Sequence, residues 1–166
     1  MAGALYSIVI YPILYIFPAY AANGAPVIFG GKSPLDMKRH FRGKRIFGDH
    51  KTIRGTASSI IAGIAAGAIE SVFIPWMLPV SILLTIGANA GDLAGSFLKR
   101  QYSIGSGRPV PLLDQYGFFI FALLFALPYG SAPTFLGLVF IFLLTGIMHP
   151  LTNLIAHMMK LKDVPW

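Results

Sequence analysis

The stretch Ser81-Ile82-Leu83-Leu84-Thr85-Ile86-Gly87-Ala88-Asn89-Ala90-Gly91-Asp92-Leu93-Ala94-Gly95-Ser96-Phe97-Leu98-Lys99-Arg100 is apolar almost to its end and leaves on two cations. A run of that length is what an α-helix needs to cross a bilayer, roughly 20 residues at about 1.5 Å each. One carboxylate interrupts it. An ionised side chain near the bilayer centre costs roughly 3 kcal/mol or more, so an intramembrane acid is a functional hypothesis by default. On a helix, Asn89, Asp92, Ser96 and Lys99 step by three or four residues and share one face. That face carries an amide, a carboxylate, a hydroxyl and an ammonium. One explanation is an internal ion pair, Asp92 with Lys99 or Arg100, holding a helix end. The other is a working site. Asp114, at the start of the next apolar segment and at a similar depth, favours the second.

Outward from this stretch the whole chain has the same character. Of its 166 residues 55% are hydrophobic and 11% charged, which excludes a disordered chain and fits poorly with a soluble domain. Five apolar segments are long enough to span a membrane, at about 4–22, 57–75, 78–98, 115–131 and 133–157. The expected fold is therefore an all-α polytopic membrane protein, one integral domain over residues 1–166. Residues Ala4–Ala22 lack a basic start and a clear cleavage site, so a retained helix is expected rather than a signal peptide. There is no cysteine, which removes disulfides and thiolate chemistry.

The charges are distributed on one side. Lys32, Lys38, Arg39, Arg42, Lys44, Arg45, Lys51 and Arg54 fill a long loop at 23–56. Lys99, Arg100 and Arg108 belong to a second loop, 99–114, and Lys160 and Lys162 to the tail. The turns near Pro75 and Pro133 carry no Lys or Arg. The positive-inside rule then puts both loops and the C-terminus in the cytoplasm and the N-terminus outside. The net charge of +7 could suit nucleic acid, but cations that flank apolar spans point to membrane surface and phosphate instead.

The first loop is long for a connection without function. It opens on Asn23-Gly24-Ala25-Pro26 and contains Gly30-Gly31-Lys32, a turn that can aim backbone N–H groups at an anion. It closes on Lys51, Thr52, Arg54 and Gly55 at the start of a helix, where cations, a hydroxyl and free N–H groups make an anion site. Lys38, Arg39 and Arg42 also suit anionic lipid head groups. On the last segment His149, Asn153 and His157 recur every four residues and form a stripe, with Asn153 at a depth close to that of Asp92. Glu70 lies about 22 Å along its helix from Gly55, towards the outer half and away from Asp92. Gly63 and Gly67, and Gly87, Gly91 and Gly95, are spaced for close helix packing. That pattern fits contact within one chain or between two, which leaves a homo-oligomer open.

Several of these pieces together resemble a known family. Gly91-Asp92, Ser96, Lys99-Arg100 and Asp114 are similar to the signature of CDP-diacylglycerol synthases. The fuller resemblance is to their archaeal relatives, the CDP-archaeol synthases, through Pro111-Leu112-Leu113-Asp114-Gln115, Gly48-Asp49-His50-Lys51-Thr52-Ile53-Arg54-Gly55 and the tail Leu161-Lys162-Asp163-Val164-Pro165-Trp166. One departure is Gly117, where the signature usually has a second aspartate. The resemblance implies a membrane cytidylyltransferase. It would join CTP to an isoprenoid ether-lipid phosphate, 2,3-di-O-geranylgeranylglyceryl phosphate, and release pyrophosphate. Asp92 and Asp114 would hold Mg²⁺ and act in catalysis with Lys99 and Arg100. Asn23, Lys32, Asp49, Lys51, Thr52, Arg54, Gly55, Asn89, Ser96 and Asn153 would bind substrate.

The residues themselves reach less far. A phosphate monoester is mostly dianionic near neutral pH, its second pKa being about 6, so it needs no general base. It needs its charge neutralised and its oxygen aligned with the nucleotide's α-phosphorus, which metal ions and cationic clamps do. Carboxylates for Mg²⁺ with Lys and Arg nearby are what the centre of this chain offers. Two other readings stay open: a small proton- or ion-coupled transporter using intramembrane Asp and His, and a non-catalytic adaptor docking its basic loop on anionic lipids.

Overall fold

A computed structural model describes residues 2–165; Trp166, the last residue of the tail quoted above, lies outside the described residues. The chain is helical along most of its length. A first rod consists of α1 (Ala2–Leu5), a π-turn over Tyr6–Ile10 and α2 (Tyr11–Phe29). It is followed by α3 (Ile53–Ser71), α4 (Met77–Gln101), α5 (Leu113–Ala126) with a 3₁₀ turn at Leu127–Tyr129, and α6 (Phe135–Met158). Among the described residues three helices, Gly3–Phe29, Met77–Gln101 and Phe135–Met158, are long and apolar enough to cross a membrane, and Leu113–Tyr129 is a shorter apolar one.

The expected segments each fall on a helix, with one substantial difference. The first helix does not stop at residue 22. It runs through Asn23-Gly24-Ala25-Pro26 to Phe29, so Asn23 sits inside α2 and not in a loop. Pro26 should end a helix, because it cannot donate to the carbonyl of Ala22 and crowds it. Here the Ser59 hydroxyl of α3 donates to that Ala22 carbonyl at 2.6 Å, in a buried position. A neighbouring helix supplies the missing bond, which is how transmembrane helices tolerate proline.

α2, α3, α4 and α5 pack as the core of the bundle, and the glycine pattern is spent inside it. A Cβ on Gly63 would meet the carbonyl oxygen of Pro18 at 3.0 Å and the methyl of Thr85 at 2.9 Å, so α3 is wedged between α2 and α4. A Cβ on Gly91 would strike the backbone of Gly117, its carbonyl carbon at 2.8 Å, so α4 and α5 touch backbone to backbone. Tyr15, Ile16, Leu84, Phe118, Phe119 and Ile141 fill the space between. α6 is mostly exposed on its outer face, with Leu143, Ile147, Leu154 and Met158 uncovered. Tyr20 of α2 holds it through a 2.6 Å hydrogen bond to Thr145.

The first loop is compact. His40–Phe41 and Lys44–Arg45 form a small antiparallel hairpin, His40 facing Arg45 and Phe41 facing Lys44. Its two turn residues, Arg42 and Gly43, both have positive φ, 51° and 76°, as a tight hairpin turn requires. Asp36 is the hub. Its side chain is fully buried and accepts from Arg45 (2.8 and 3.2 Å) and from the N–H groups of Lys38, Phe47 and Gly48 (3.0, 3.0 and 3.1 Å). Burial alone would raise its pKa; Arg45 and the three N–H groups overrule this and hold the carboxyl well below the usual carboxylate range.

Candidate functional site

The end of α2, the start of α3, the end of α4, the start of α5 and the end of α6 lie at one end of the bundle, where the two basic loops and the tail also gather. Thr52 caps α3: its hydroxyl accepts from the N–H of Gly55 at 3.0 Å. The same oxygen accepts from the N–H of Gly31 at 3.2 Å, pinning the Gly30-Gly31 turn over the helix start. A cleft of about 150 Å³ opens there, lined among others by Gly31, Asp49, Lys51, Thr52, Asn89 and Asp92. It is the meeting point of the first loop, α2, α3 and α4.

Asp92 does not pair with Lys99 or Arg100. Lys51 comes down from the first loop and puts its ammonium on both carboxylate oxygens, at 2.6 and 2.5 Å. The Asp92 side chain remains 40% exposed to the cleft. Lys99 instead reaches Asp114, at 2.6 Å. The other oxygen of Asp114 accepts from the N–H of Val110 at 2.8 Å, so the carboxylate also fastens the loop that precedes α5. That loop ends in a strained turn. Leu112 has φ 65° and ψ −51°, and the N–H of Leu113 donates to the carbonyl of Pro111 at 2.7 Å, which is a γ-turn of the rare kind. Strain of this type costs of the order of 1–3 kcal/mol and concentrates at functional positions. Here it sits within the Pro111–Gln115 motif and aims Asp114 at Lys99.

The other expected site residues divide. Asp49, Lys51, Thr52, Gly55 and Asn89 line the cleft. Asn89 donates its amide N–H to the carbonyl of Thr85 at 2.8 Å. Asp49 accepts from Arg45 at 2.9 Å. Arg54 is exposed, and its stem covers Gly31, whose Cβ would meet Arg54 Cβ at 2.9 Å. Asn23, Lys32 and Ser96 do not line the cleft: Asn23 is inside α2, Lys32 is exposed and Ser96 is buried in α4. Arg100 is buried and donates to the carbonyl of Gly105 at 3.0 Å, and its guanidinium lies beside Gly48. That position joins the two loops. Asn153 bonds Lys162 at 2.8 Å and lies 3.3 Å from His149 Nδ1. Glu70 is remote, at the other end of α3, with no hydrogen-bond partner among the described residues.

Sequence reading passed over two residues. Asp36 shapes the loop that presents Lys51, and nothing in its neighbourhood marks it as buried. Lys162 folds back along α6 and donates to Asn153 at 2.8 Å. Its signal was available, since it belongs to the tail motif.

Among the described residues no group of three or more His, Asp or Glu side chains is placed to hold a metal ion. Asp92 and Asp114 are two partly exposed hard-oxygen donors, each now neutralised by one lysine. Such a set suits a divalent ion that keeps its waters and arrives on substrate phosphates, as Mg²⁺ does, better than one caged by protein alone. A Cβ at Gly117 would meet only the carbonyl oxygen of Gly91, at 3.5 Å, so the position has room for a side chain and simply lacks a carboxylate.

The pattern of the CarS-like CDP-archaeol synthases matches residues 5–166. The chain belongs to the CDP-archaeol synthase family. It is 45% identical to the CDP-archaeol synthase of Pyrococcus furiosus over 94% of this chain and 99% of that one. It is 44% identical to that of Methanopyrus kandleri, covering 92% and 90%. Its fold matches a solved intramembrane enzyme of archaeal membrane-lipid biosynthesis, with a TM-score of 0.81 and 36% identity over 87% of this chain and 94% of the other. As a CDP-archaeol synthase relative, the chain carries the cleft and both ion pairs within the matched region.

Proposed function

We propose that this protein transfers CMP from CTP to an isoprenoid ether-lipid phosphate, 2,3-di-O-geranylgeranylglyceryl phosphate, forming CDP-archaeol in its unsaturated form. The reading rests on one observation above the others: in a chain of this family, Asp92 and Asp114 face the same end of the bundle, each held by a lysine from another segment. A phosphate oxygen of the lipid attacks the α-phosphorus of CTP. A new P–O–P bond forms, the bond between the α-phosphorus and the bridging oxygen to the β-phosphate breaks, and pyrophosphate leaves with the electron pair.

The protein's residues bind and align. Lys51 exchanges its contact with Asp92 for nucleotide phosphate. Gly31, Thr52 and Asn89 line the cleft that receives the nucleotide. Lys99 stays on Asp114 and holds that carboxylate in place. Mg²⁺, when bound, neutralises phosphate charge and polarises the reacting phosphorus. Asp92 and Asp114 are the residues that would hold it. With Gly117 lacking a carboxylate, any further ion would rely on phosphate oxygens and water.

In this reading five helices span the cell membrane, with the N-terminus outside and the site open to the cytoplasm. The basic loops and tail support that orientation, because Lys and Arg accumulate on the cytoplasmic side. A cysteine placed near Ala132 should label only from outside and one near Gly105 only from the cytosol; labelling of both from one side would sink the orientation. A coupled transporter would need polar groups through both halves of the bilayer, and Glu70 alone stands in the outer part of α3.

The test of the activity is direct. Purified protein is incubated with labelled CTP, Mg²⁺ and the lipid phosphate. Pyrophosphate release only with both substrates present supports the reading, and release that ignores the lipid, or none at all, refutes it.

A further inference from the structure

Every fourth residue in the second half of α6 is polar, and Thr145, His149, Asn153 and His157 share one face. Other segments hold three of the four. The Thr145 hydroxyl meets that of Tyr20 on α2 at 2.6 Å. His157 Nδ1 donates to the carbonyl of Lys162 at 3.0 Å. Asn153 Oδ1 accepts from Lys162 Nζ at 2.8 Å, and Asn153 Nδ2 lies 3.3 Å from His149 Nδ1. These contacts fix the proton of His149. A lysine ammonium only donates, so the Asn153 atom facing it is the amide oxygen and the other is the NH₂ group. That group also only donates, so His149 Nδ1 accepts and carries no proton. The imidazole is then neutral, with its hydrogen on Nε2. Among the described residues this N–H makes no hydrogen bond.

The ring is held against α5. It lies over Phe118, with ring centroids 6.3 Å apart and planes 26° from parallel. Further along the same seam Tyr116 stacks on Phe142 at 4.3 Å, and a Cβ on Gly146 would collide with the Tyr116 hydroxyl, so α5 and α6 meet closely here. Phe118 follows Asp114 by four residues, which puts both on one face of α5, one turn or about 6 Å apart. His149 precedes Asn153 by the same interval. The free donor thus lies about one turn deeper in the bundle than Asp114. It stands apart from the cleft of Lys51, Asn89 and Asp92, whose lining includes no residue of α5 or α6 among the described residues. Its neighbours Met148 and Leu151 are exposed on the apolar outer face of α6.

We infer that His149 Nε2–H donates a hydrogen bond to a glycerol ether oxygen of the lipid substrate. The inference rests on the function proposed above and adds one contact to it. The lipid is the partner because His149 belongs to the helix with the open apolar face and not to the nucleotide cleft. The ether oxygen is the acceptor for two reasons. A donor held neutral by Asn153 suits an uncharged oxygen, whereas phosphate is matched by the lysines and the metal. A donor one turn deeper than the carboxylates also meets the part of the lipid next to its tails. The first oxygens beyond the phosphate ester are the ether oxygens, and the short chain between them and phosphorus reaches about 5 Å, close to one helical turn.

The experiment uses the full chain and two lipid phosphates that differ only in methylene groups at the ether positions. His149→Phe keeps a ring on Phe118 and removes the donor, His149→Gln restores an N–H, and His149→Leu serves as the donor-free variant if phenylalanine does not fold. KM and kcat for each lipid are measured at saturating CTP, and Kd for CTP with Mg²⁺ is measured without lipid. The wild type should show a KM about fivefold higher for the methylene lipid. His149→Phe should show the same rise on the ether lipid and none beyond it on the methylene lipid, because the two changes remove one contact. Its CTP affinity should be unchanged, and His149→Gln should recover most of the loss. A wild type indifferent to the ether oxygens, a folded donor-free variant that still prefers the ether lipid, or a loss confined to CTP affinity would each overturn the inference. Asp92→Asn runs alongside. If it retains turnover, the site reading itself has failed, whereas an inactive Asp92→Asn beside a His149→Phe protein with unchanged lipid KM removes His149 alone.

Discussion

Asp92 and Asp114 look alike in sequence and differ in how the fold holds them. Asp92 lies in the middle of a helix turn, and both of its oxygens go to one flexible lysine from a loop. Asp114 lies at a helix start behind a strained γ-turn, with one oxygen on Lys99 and the other on the backbone of Val110. The first pair can exchange partners without disturbing the backbone. The second is part of the scaffold. A site that must admit and release a charged nucleotide needs one of each: an anchored carboxylate to fix position and an exchangeable one to respond.

The sharpest way to break this comparison is to remove each lysine in turn. Lys51→Ala should lower turnover about a hundredfold or more even at high CTP, through loss of a phosphate contact, while leaving thermal stability nearly unchanged. Lys99→Ala should lower turnover and also loosen the loop before α5, seen as faster proteolysis between Arg100 and Leu112. Equal stability with equal activity loss in both would erase the distinction.

Asp36→Asn tests the Asp92 side alone, since it releases the loop that carries Lys51. Its carboxyl is held below the usual range, so its contribution to stability is present above the unfolded value of about 4 and is lost only as pH falls through the lower folded value. The wild-type loop should resist proteolysis from neutral pH to below that ordinary range, and the variant should be cleaved readily already at neutral pH. A variant as resistant as the wild type would deny Asp36 its role as hub.

Two smaller effects bound the comparison from outside. Ser59→Ala leaves the Ala22 carbonyl without its partner, which should cost about 1–3 kcal/mol of stability. The melting temperature in detergent should fall while turnover per folded molecule stays the same, because neither carboxylate is touched. Lys38→Ala is the mildest. Lys38 and Arg39 are exposed near the hairpin, where Arg42 lies over the Phe41 ring at 5.4 Å, as on a surface that rests on lipid head groups. Activity should drop by less than about threefold, and more at low salt than at high salt. A large, salt-insensitive loss would move Lys38 into the site.

Much of this was legible in the sequence, because hydrophobic runs and one-sided charge report on a bilayer directly. The helices, the basic end and the two aspartates follow from that. Asn23 reads as loop because a proline and a glycine signal a turn locally, and the Ser59 hydroxyl from another helix cancels the signal. The partner of Asp92 was equally invisible. Helical spacing offers Lys99 or Arg100, whereas Lys51 is 41 positions away in the chain and arrives through loop folding organised by buried Asp36. Lys162 is in view as part of a motif, but the contact of its ammonium with Asn153 depends on a reversal at Lys160, where no glycine announces one.

The central claim is that Asp92 and Asp114 work as one unit on metal-bound phosphates. The measurement that tests it most directly is turnover per folded molecule against Mg²⁺ concentration for the wild type, Asp92→Asn, Asp114→Asn and the double mutant. Both single mutants should fold and insert yet lose about a thousandfold or more in turnover at every Mg²⁺ level, with the double mutant scarcely worse than either. Near-normal turnover in either single mutant, at any Mg²⁺ concentration, would contradict the account.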